Sequence, residues 1–366
     1  MKEKNSEQKL PITKNINLVM DSEEKLHIEE KEIVKNLQET FKGKTYEEIP
    51  QKTSRLCGLC SFSNLIASLS AIENAFKIKV SKQTKSLREL ILLGSTIKSH
   101  IFDLYFKMLP TLTEDEDIFE SGKKNKKEVE KAFKLQKLGN EIVELLSGRK
   151  IHGMTLVVGG FSKLPTEEML KALLKKLSEI KQEAITCAKY FSKLKIPKLE
   201  IKTIFLALEK QNDYPLLEGK LGSLRCQLEK TKENEKFVKS LLKQGSLNLE
   251  ELKKNSYLVG SLARINLNYK RLTFNARKCL KIKPPLVNPY HLALAKSIEI
   301  VYCIERAAKI IEGLKIKEEE LPKIKVRAGE GFSVIESPQG LLFHKYKFDK
   351  KGKALKVEIL NPTEQN

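Results

Sequence analysis

The chain has 366 residues, 40% hydrophobic and 31% charged, with 68 Lys and Arg against 47 Asp and Glu and a net charge of +21. No stretch approaches the ~20 uncharged apolar residues of a membrane helix, the first residues lack the apolar core of a signal peptide, and six scattered cysteines make no disulfide framework. These features exclude membrane insertion and point to a cytoplasmic, reducing setting; lysine mixed with glutamate along the whole chain, without tryptophan or a basic-aromatic stripe, argues against nucleic acid.

In chain order, residues 1–15 read as a polar, disordered tail. Residues 16–20 and 26–28 read as short strands around an acidic turn, 21–24. Residues 29–41 form an amphipathic helix with Ile33, Val34, Leu37 and Phe41 on one side, ended by Gly43. After the segment 55–73 comes a long helix over 85–109, with a wide apolar stripe from Leu87 to Met108 that Pro110 stops. Helices follow at 127–146 and 165–194, the second capped by Thr166, with a β-branched run at 155–158 and a Gly159-Gly160 turn between them. A strand is expected at 198–206, helices at 228–243, 248–255 and 268–282, a break at Pro284-Pro285, and a helix at 289–314. The period then changes: 331–335, 341–349 and 354–360 alternate like strands, with a hairpin turn at 350–353. The pattern predicts a helix-dominated α+β fold, one domain over 16–366, with small antiparallel sheets near the N- and C-termini.

The segment 55–73, R-L-C-G-L-C-S-F-S-N-L-I-A-S-L-S-A-I-E, holds the sequence's one C-x-x-C, Cys57 and Cys60. Gly58 lets the backbone turn tightly between them. The small and apolar residues that follow have helical spacing, so the thiols stand at a helix N-terminus, where free N–H groups and the dipole favour thiolate. Three readings stay open on these residues alone. A thioredoxin-like redox pair needs a preceding strand, and 44–54 is not a convincing one. A zinc site needs two further ligands, and Cys187, Cys226, Cys279 and Cys303 are far apart. Two buried cysteines with no chemistry is the third.

Five ordered motifs carry a resemblance. Arg55-Leu56-Cys57-Gly58-Leu59-Cys60 resembles the R-x-C-G-x-C of nickel–iron hydrogenase large subunits. Gly148 to His152 with Gly159-Gly160 resembles G-G-K-x-I-H-P and P-G-G. Val259 to Asn266, V-G-S-L-A-R-I-N, resembles V-G-P-L-A-R-x-N; Glu336 to Gly340, E-S-P-Q-G, resembles E-A-P-R-G; and Pro362 to Asn366 resembles P-T-x-Q-N. The resemblance covers nearly the whole chain, from about Asn17 to Asn366, and the cytoplasmic, carrier-reducing subgroup is the nearest in pattern.

The resemblance implies a hydrogenase large-subunit-like fold. It also implies nickel and iron, the iron with small diatomic ligands, held by four thiolates from two C-x-x-C motifs. Cys57 is then a terminal nickel ligand and Cys60 a bridge between nickel and iron. Glu23 falls near the glutamate that passes protons away from a cysteine ligand, though Glu24-Lys25 replace the family's Gly-His. The expected partner is an iron–sulfur small subunit that takes the electrons of reversible H2 oxidation. Departures accompany these matches. Asn64 stands in place of a histidine, Gln339 in place of an arginine over the metals, and Gln38 in place of a glutamate that holds magnesium, which makes magnesium doubtful. The family's last motif, D-P-C-x-x-C-x-x-H, has no counterpart up to Asn366. Two readings follow: a split enzyme completed by a separately encoded C-terminal peptide, or a degenerate scaffold or electron-transfer subunit.

Three other residues are expected to be structural first. Arg264 reads as a buried ion-pair or hydrogen-bond residue that fixes helix packing. His152 reads as a satisfied histidine after a turn. His100 reads as a surface or helix-pairing residue, with proton relay as the alternative near a metal cleft.

Overall fold

The computed structural model describes residues 17–20, 26–29, 40–115, 118–225, 242–243, 246–247 and 257–365. Strands β1 (Asn17–Met20) and β2 (Leu26–Glu29) pair antiparallel, as the sequence predicts. Residues 30–39, most of the expected first helix, lie outside the described residues, as do Glu23 and Gln38. Helix α1 (Glu48–Thr53) leads into the cysteine turn and then α2 (Ser61–Phe76).

Helix α2 is buried on nearly every side; only Ser70 and Asn74 escape. Its small residues make that possible, because they let neighbouring backbones come close. On one side lies a three-stranded antiparallel sheet, β10 (Gly329–Ser337), β11 (Gly340–Phe348) and β12 (Ala354–Leu360). A Cβ at Gly331 would stand 2.0 Å from the carbonyl oxygen of Ala71, so only glycine allows this approach. Ser333 Oγ donates to Ala67 O (2.7 Å) in the same seam.

On the other side are the long helices. Helix α3 (Lys82–Phe102) opens with Ser81 accepting the Thr84 N–H (2.9 Å). It packs on α6 (Lys126–Ser147) and on α10 (His291–Gly313), which in turn packs on α7 (Glu167–Phe191). Leu87, Ile91, Ile97, Leu135, Ile142, Leu173, Ile298 and Val301 belong to one continuous core. Each such side chain contributes about 1.5–3 kcal/mol on burial.

The structure departs from the sequence reading in three places. The helix expected over 85–109 changes form: α3 ends at Phe102, a π-helical turn covers Asp103–Met108, and a short α4 (Leu109–Thr113) follows with Pro110 in its first turn. Apolar spacing does not reveal a π turn, because one extra residue merely rotates the stripe. The expected 198–206 strand runs instead over β5 (Ile204–Glu209), between antiparallel β6 (Lys220–Arg225) and parallel β9 (Tyr257–Leu258). Spacing does not announce this middle sheet, because glycine and serine in K-L-G-S-L-R hide β6. The expected 268–282 helix breaks into α8 (Ser261–Asn268), a 3-10 turn at Tyr269–Arg271, and α9 (Phe274–Cys279). The 228–243 and 248–255 helices lie outside the described residues, except that Leu242–Lys243 (β7) pairs with Ser246–Leu247 (β8) as a hairpin. Short α5 (Ile118–Lys124) and the β3–β4 hairpin (Leu156–Val157, Gly160–Phe161) complete the described elements. No helix among the described residues is long and apolar enough to cross a membrane.

Candidate functional site

Cys57 lies in the turn before α2, half-buried, and Cys60 is the residue at the helix N-cap, buried. The turn is held from outside by His152, whose Nδ1 lies 3.0 Å from the Ser54 carbonyl oxygen and whose main-chain N–H donates to Ser61 Oγ (3.0 Å). His152 is thus the satisfied structural histidine expected. The Cys60 N–H donates to Cys57 Sγ (3.2 Å). The Cys60 thiol also donates to Cys57, which together with nearby N–H groups and Lys107 pulls Cys57 down to about 6. The same hydrogen bond, with burial and the Cys57 charge, pushes Cys60 well up. The two shifts run in opposite directions, so Cys57 is the more acidic thiol of the pair.

A separate polar cluster is built from three elements. Asp103 begins the π turn, Lys296 comes from α10, and Gln339 comes from the β10–β11 turn. Lys296 Nζ donates to Asp103 Oδ2 and to Gln339 Oε1 (3.3 Å), and Gln339 Nε2 donates to Asp103 Oδ2 (2.6 Å). Gln339 also reaches Ser99 Oγ (3.3 Å), and Lys107 stands 3.0 Å from Asp103 Oδ1. Burial would raise Asp103, but the Lys296 charge and these donors outweigh it and hold it at about 2. Burial pulls Lys296 down, with the Asp103 charge opposing. Both charges act on Cys60.

Arg264 on α8 fixes the turn that carries Gln339. Its guanidinium forks onto Glu299 (Nε–Oε1 2.6 Å, Nη2–Oε2 2.8 Å), reaches Glu336 Oε2 (3.0 Å), and donates to the carbonyls of Ser337 (2.9 Å) and Pro338 (3.1 Å). Gly260 takes φ 97°, and a Cβ there would stand 2.8 Å from the Gln339 carbonyl oxygen. The V-G-S-L-A-R and E-S-P-Q-G segments are thus two halves of one clamp. Glu299 also bonds His100 Nε2 (2.7 Å) and the Tyr214 hydroxyl. His100 is fully buried, so it is not on the surface, but through Glu299 it pairs α3 with α10 as the other expected role has it; burial lowers it to about 4 despite Glu299.

Glu336 has no such surplus of donors. Burial raises it from 4.5 to about 7, with Arg264 and the Leu208 N–H only partly opposing. Between those values the folded chain keeps a proton that the unfolded chain has released, so stability falls as pH rises and levels off above about 7. At about 1.4 kcal/mol per pH unit the loss is about 3 kcal/mol. Glu336→Gln removes this slope. Urea unfolding at pH 5 and pH 8 should show the variant gaining on the wild type by about that amount at the higher pH.

Behind Cys60, Asn64 Nδ2 donates to the Cys60 carbonyl (3.2 Å), and Asn64 Oδ1 lies 3.2 Å from His344 Nε2. His344 Nδ1 lies 2.6 Å from the Tyr346 hydroxyl, itself 3.1 Å from Ser68 Oγ. Burial lowers His344 to about 3. A neutral ring with its proton on Nε2 donates to Asn64 and accepts from Tyr346, which satisfies both contacts. The histidine expected four residues after Cys60 from the resemblance is replaced by Asn64, and His344 from β11 stands beside it.

Cys57 and Cys60 are the residues that could hold a metal here. Among the described residues no group of three or more His, Cys, Asp or Glu side chains could do so. Asp103 is engaged by Lys296 and Gln339, Cys187 bonds Tyr105 (3.4 Å), and Cys279 and Cys303 are buried elsewhere. The described residues therefore supply half of a four-thiolate set and do not by themselves fit the nickel–iron pair. Sequence reasoning does not pick out Asp103, Lys296 and Glu299. Their one signal is charge inside apolar helical stripes, as in Lys296 and Glu299 of A-L-A-K-S-I-E-I-V.

A family described as nickel-dependent hydrogenase matches residues 35–112. The chain is 28% identical over 336 residues to the alpha subunit of sulfhydrogenase 1 of Pyrococcus furiosus, covering 88% of this chain and 77% of that protein. It is 26% identical to a subunit of the vhu F420-non-reducing hydrogenase of Methanocaldococcus jannaschii, covering 93% of this chain and 88% of the relative. In fold it is similar to a crystal structure of an NAD+-reducing [NiFe]-hydrogenase in the H2-reduced state, with TM-score 0.77, 21% identity, and coverage of 93% and 83%.

Proposed function

We infer that this homologue of the nickel–iron hydrogenase large subunits serves in a complex that oxidises H2 and passes the electrons to an iron–sulfur partner subunit. One observation carries the reading: two thiols three residues apart at the head of a buried helix, with the Cys60 N–H donating to Cys57 Sγ. Soft thiolates suit nickel and iron. Cys57 and Cys60 are two of the sulfur donors in this reading, and the other two are not among the described residues. The metals, when bound, supply the splitting of hydrogen. This chain's residues hold the sulfurs at a fixed spacing, keep charge on Cys57, and shield Cys60. Glu23 is the proposed proton acceptor. The named relatives are subunits of hydrogenases, which supports a heteromer. A cytoplasmic complex agrees with the cysteine usage.

A second reading is a scaffold without hydrogen chemistry. It is favoured by the neutral amides Asn64 and Gln339 and by the two-sulfur set among the described residues. The test is to purify the chain from its host with its bound neighbours, then measure metals and hydrogen-dependent dye reduction. Nickel together with iron, and dye reduction under H2, supports the enzyme. Iron without nickel and no dye reduction overturns it in favour of the scaffold.

A further inference from the structure

The far end of the C-terminal sheet carries more positive charge than the fold uses. The β11–β12 turn holds Lys350, Lys351 and Lys353, Lys347 stands beside it on β11, and the segment K-I-K-V-R before β10 brings Lys325 and Arg327. Contact makes these one surface. Gly352 takes φ 73°, and a Cβ there would stand 2.8 Å from the Tyr46 ring and 2.9 Å from Val326 Cγ1, so the turn is wedged between both neighbouring segments. All six basic side chains are exposed, and none makes a hydrogen bond or ion pair among the described residues. The carboxylates around them are engaged. Asp349 Oδ1 accepts the main-chain N–H groups of Lys351 (2.8 Å) and Lys353 (2.9 Å). Glu330 pairs with Lys345 (2.9 Å) and Glu358 with Lys356 (2.9 Å). Glu47 accepts from the Tyr46 hydroxyl (3.2 Å) and Glu48 from the Thr45 N–H (3.0 Å). Lys347 is left directly opposite Lys356 across the two strands. Like charges so placed oppose folding, so stability gives no reason for the arrangement, whereas a partner's carboxylates do.

We propose that this face, built from Lys325, Arg327, Lys347, Lys350, Lys351 and Lys353, docks an acidic surface of a partner protein. Charge complementarity steers such an encounter and fixes its orientation. No aromatic ring lies open on the face to stack a base: Tyr346 and Phe348 are buried, and Tyr46 meets Phe76 edge to face. Strand β11 runs 9 residues from Gly340 to Phe348, which puts the face about 30 Å from the Gln339 turn at about 3.4 Å per residue. The proposal goes beyond the thiol pair and rests on neither reading of it.

The test has two arms. In the first, the complex purified from the host is acetylated beside the full chain alone, and each lysine is read by mass spectrometry. Lys347, Lys350, Lys351 and Lys353 should react about tenfold more slowly in the complex, and zero-length carbodiimide coupling should join them to Asp or Glu of a neighbour. Salt of about 1 M, where the Debye length is about 3 Å, should remove the protection. In the second arm, which needs no neighbour, a short poly-glutamate peptide is titrated into the full chain. Lys350→Gln with Lys351→Gln and Lys353→Gln keeps the main-chain bonds to Asp349 and should bind about tenfold more weakly, while Lys175→Gln with Lys181→Gln and Lys189→Gln on α7, an equal change of net charge, should stay within about twofold of wild type. Equal losses in the two triple variants, or the four lysines reacting as fast in the complex as alone, overturn the proposal. So does a DNA duplex or a phosphatidylserine vesicle that the same three turn lysines bind more tightly than the peptide. Nickel content and dye reduction do not enter, so failure here leaves the hydrogenase reading standing, and absence of nickel leaves this one standing.

Discussion

Replacing Arg264 with methionine is expected to cost about 5 kcal/mol or more, the largest effect of any single substitution considered. Methionine fills much of the volume but leaves the Glu299 carboxylate buried without its forked partner. Breaking a buried pair from one side costs about 3–5 kcal/mol. The carbonyls of Ser337 and Pro338 lose their donor as well, at about 1–3 kcal/mol for each group left unpaired. Domains of this kind hold about 5–15 kcal/mol in total, so the variant stands at or past the edge of folding. Arg264→Lys should fare little better, since an ammonium cannot fork onto Glu299 and still reach Glu336 and two carbonyls. Arg264→Met with Glu299→Met removes the stranded charge and should recover part of the loss. Thermal and urea unfolding of the three variants decide it. A single Arg264→Met chain as stable as wild type would sink the clamp.

The second large effect concerns metal rather than stability. Cys57→Ser with Cys60→Ser should bring nickel in the purified complex to background while the chain stays folded. Serine nearly matches cysteine in size, and although Cys60 is buried Cys57 is half-exposed, so the fold should lose about 2 kcal/mol, the ordinary scale of two single substitutions. A hard hydroxyl is a poor ligand for these metals, so ligation should fail outright. Metal analysis beside circular dichroism separates the outcomes. A double variant that keeps its nickel, or one that merely unfolds, assigns the cysteines a packing role. Asn64→Ala is the matched control: it removes the bond to the Cys60 carbonyl without touching sulfur.

Much of this is legible in the residues, for identifiable reasons. The cysteine turn, the small-residue helix behind it and the late meander announce themselves through local spacing. Arg264 is readable as a buried ion-pair residue because an arginine between apolar neighbours must find partners. What spacing cannot show is which partner arrives from far away. Lys296 and Glu299 look like ordinary polar positions on a long amphipathic helix, yet one meets Asp103 and the other meets His100, Tyr214 and Arg264. His100 reads as a surface or pairing residue because nothing in S-H-I-F-D marks it as fully buried. The Asp103–Met108 π turn is invisible for the same reason: it changes direction, not composition.

The distances along the chain between the site's parts have a consequence for its birth. Asn64 meets His344 across 280 residues, and Ser99 meets Gln339 across 240. At ribosomal speeds of about 5–20 residues per second, the cysteine turn leaves the ribosome roughly 15–60 s before the hairpin that roofs it. During that interval Asn64 lacks its His344 partner, and Asp103 lacks Lys296 and Gln339. The network behind the cysteine turn is therefore complete only once the last strands have been made.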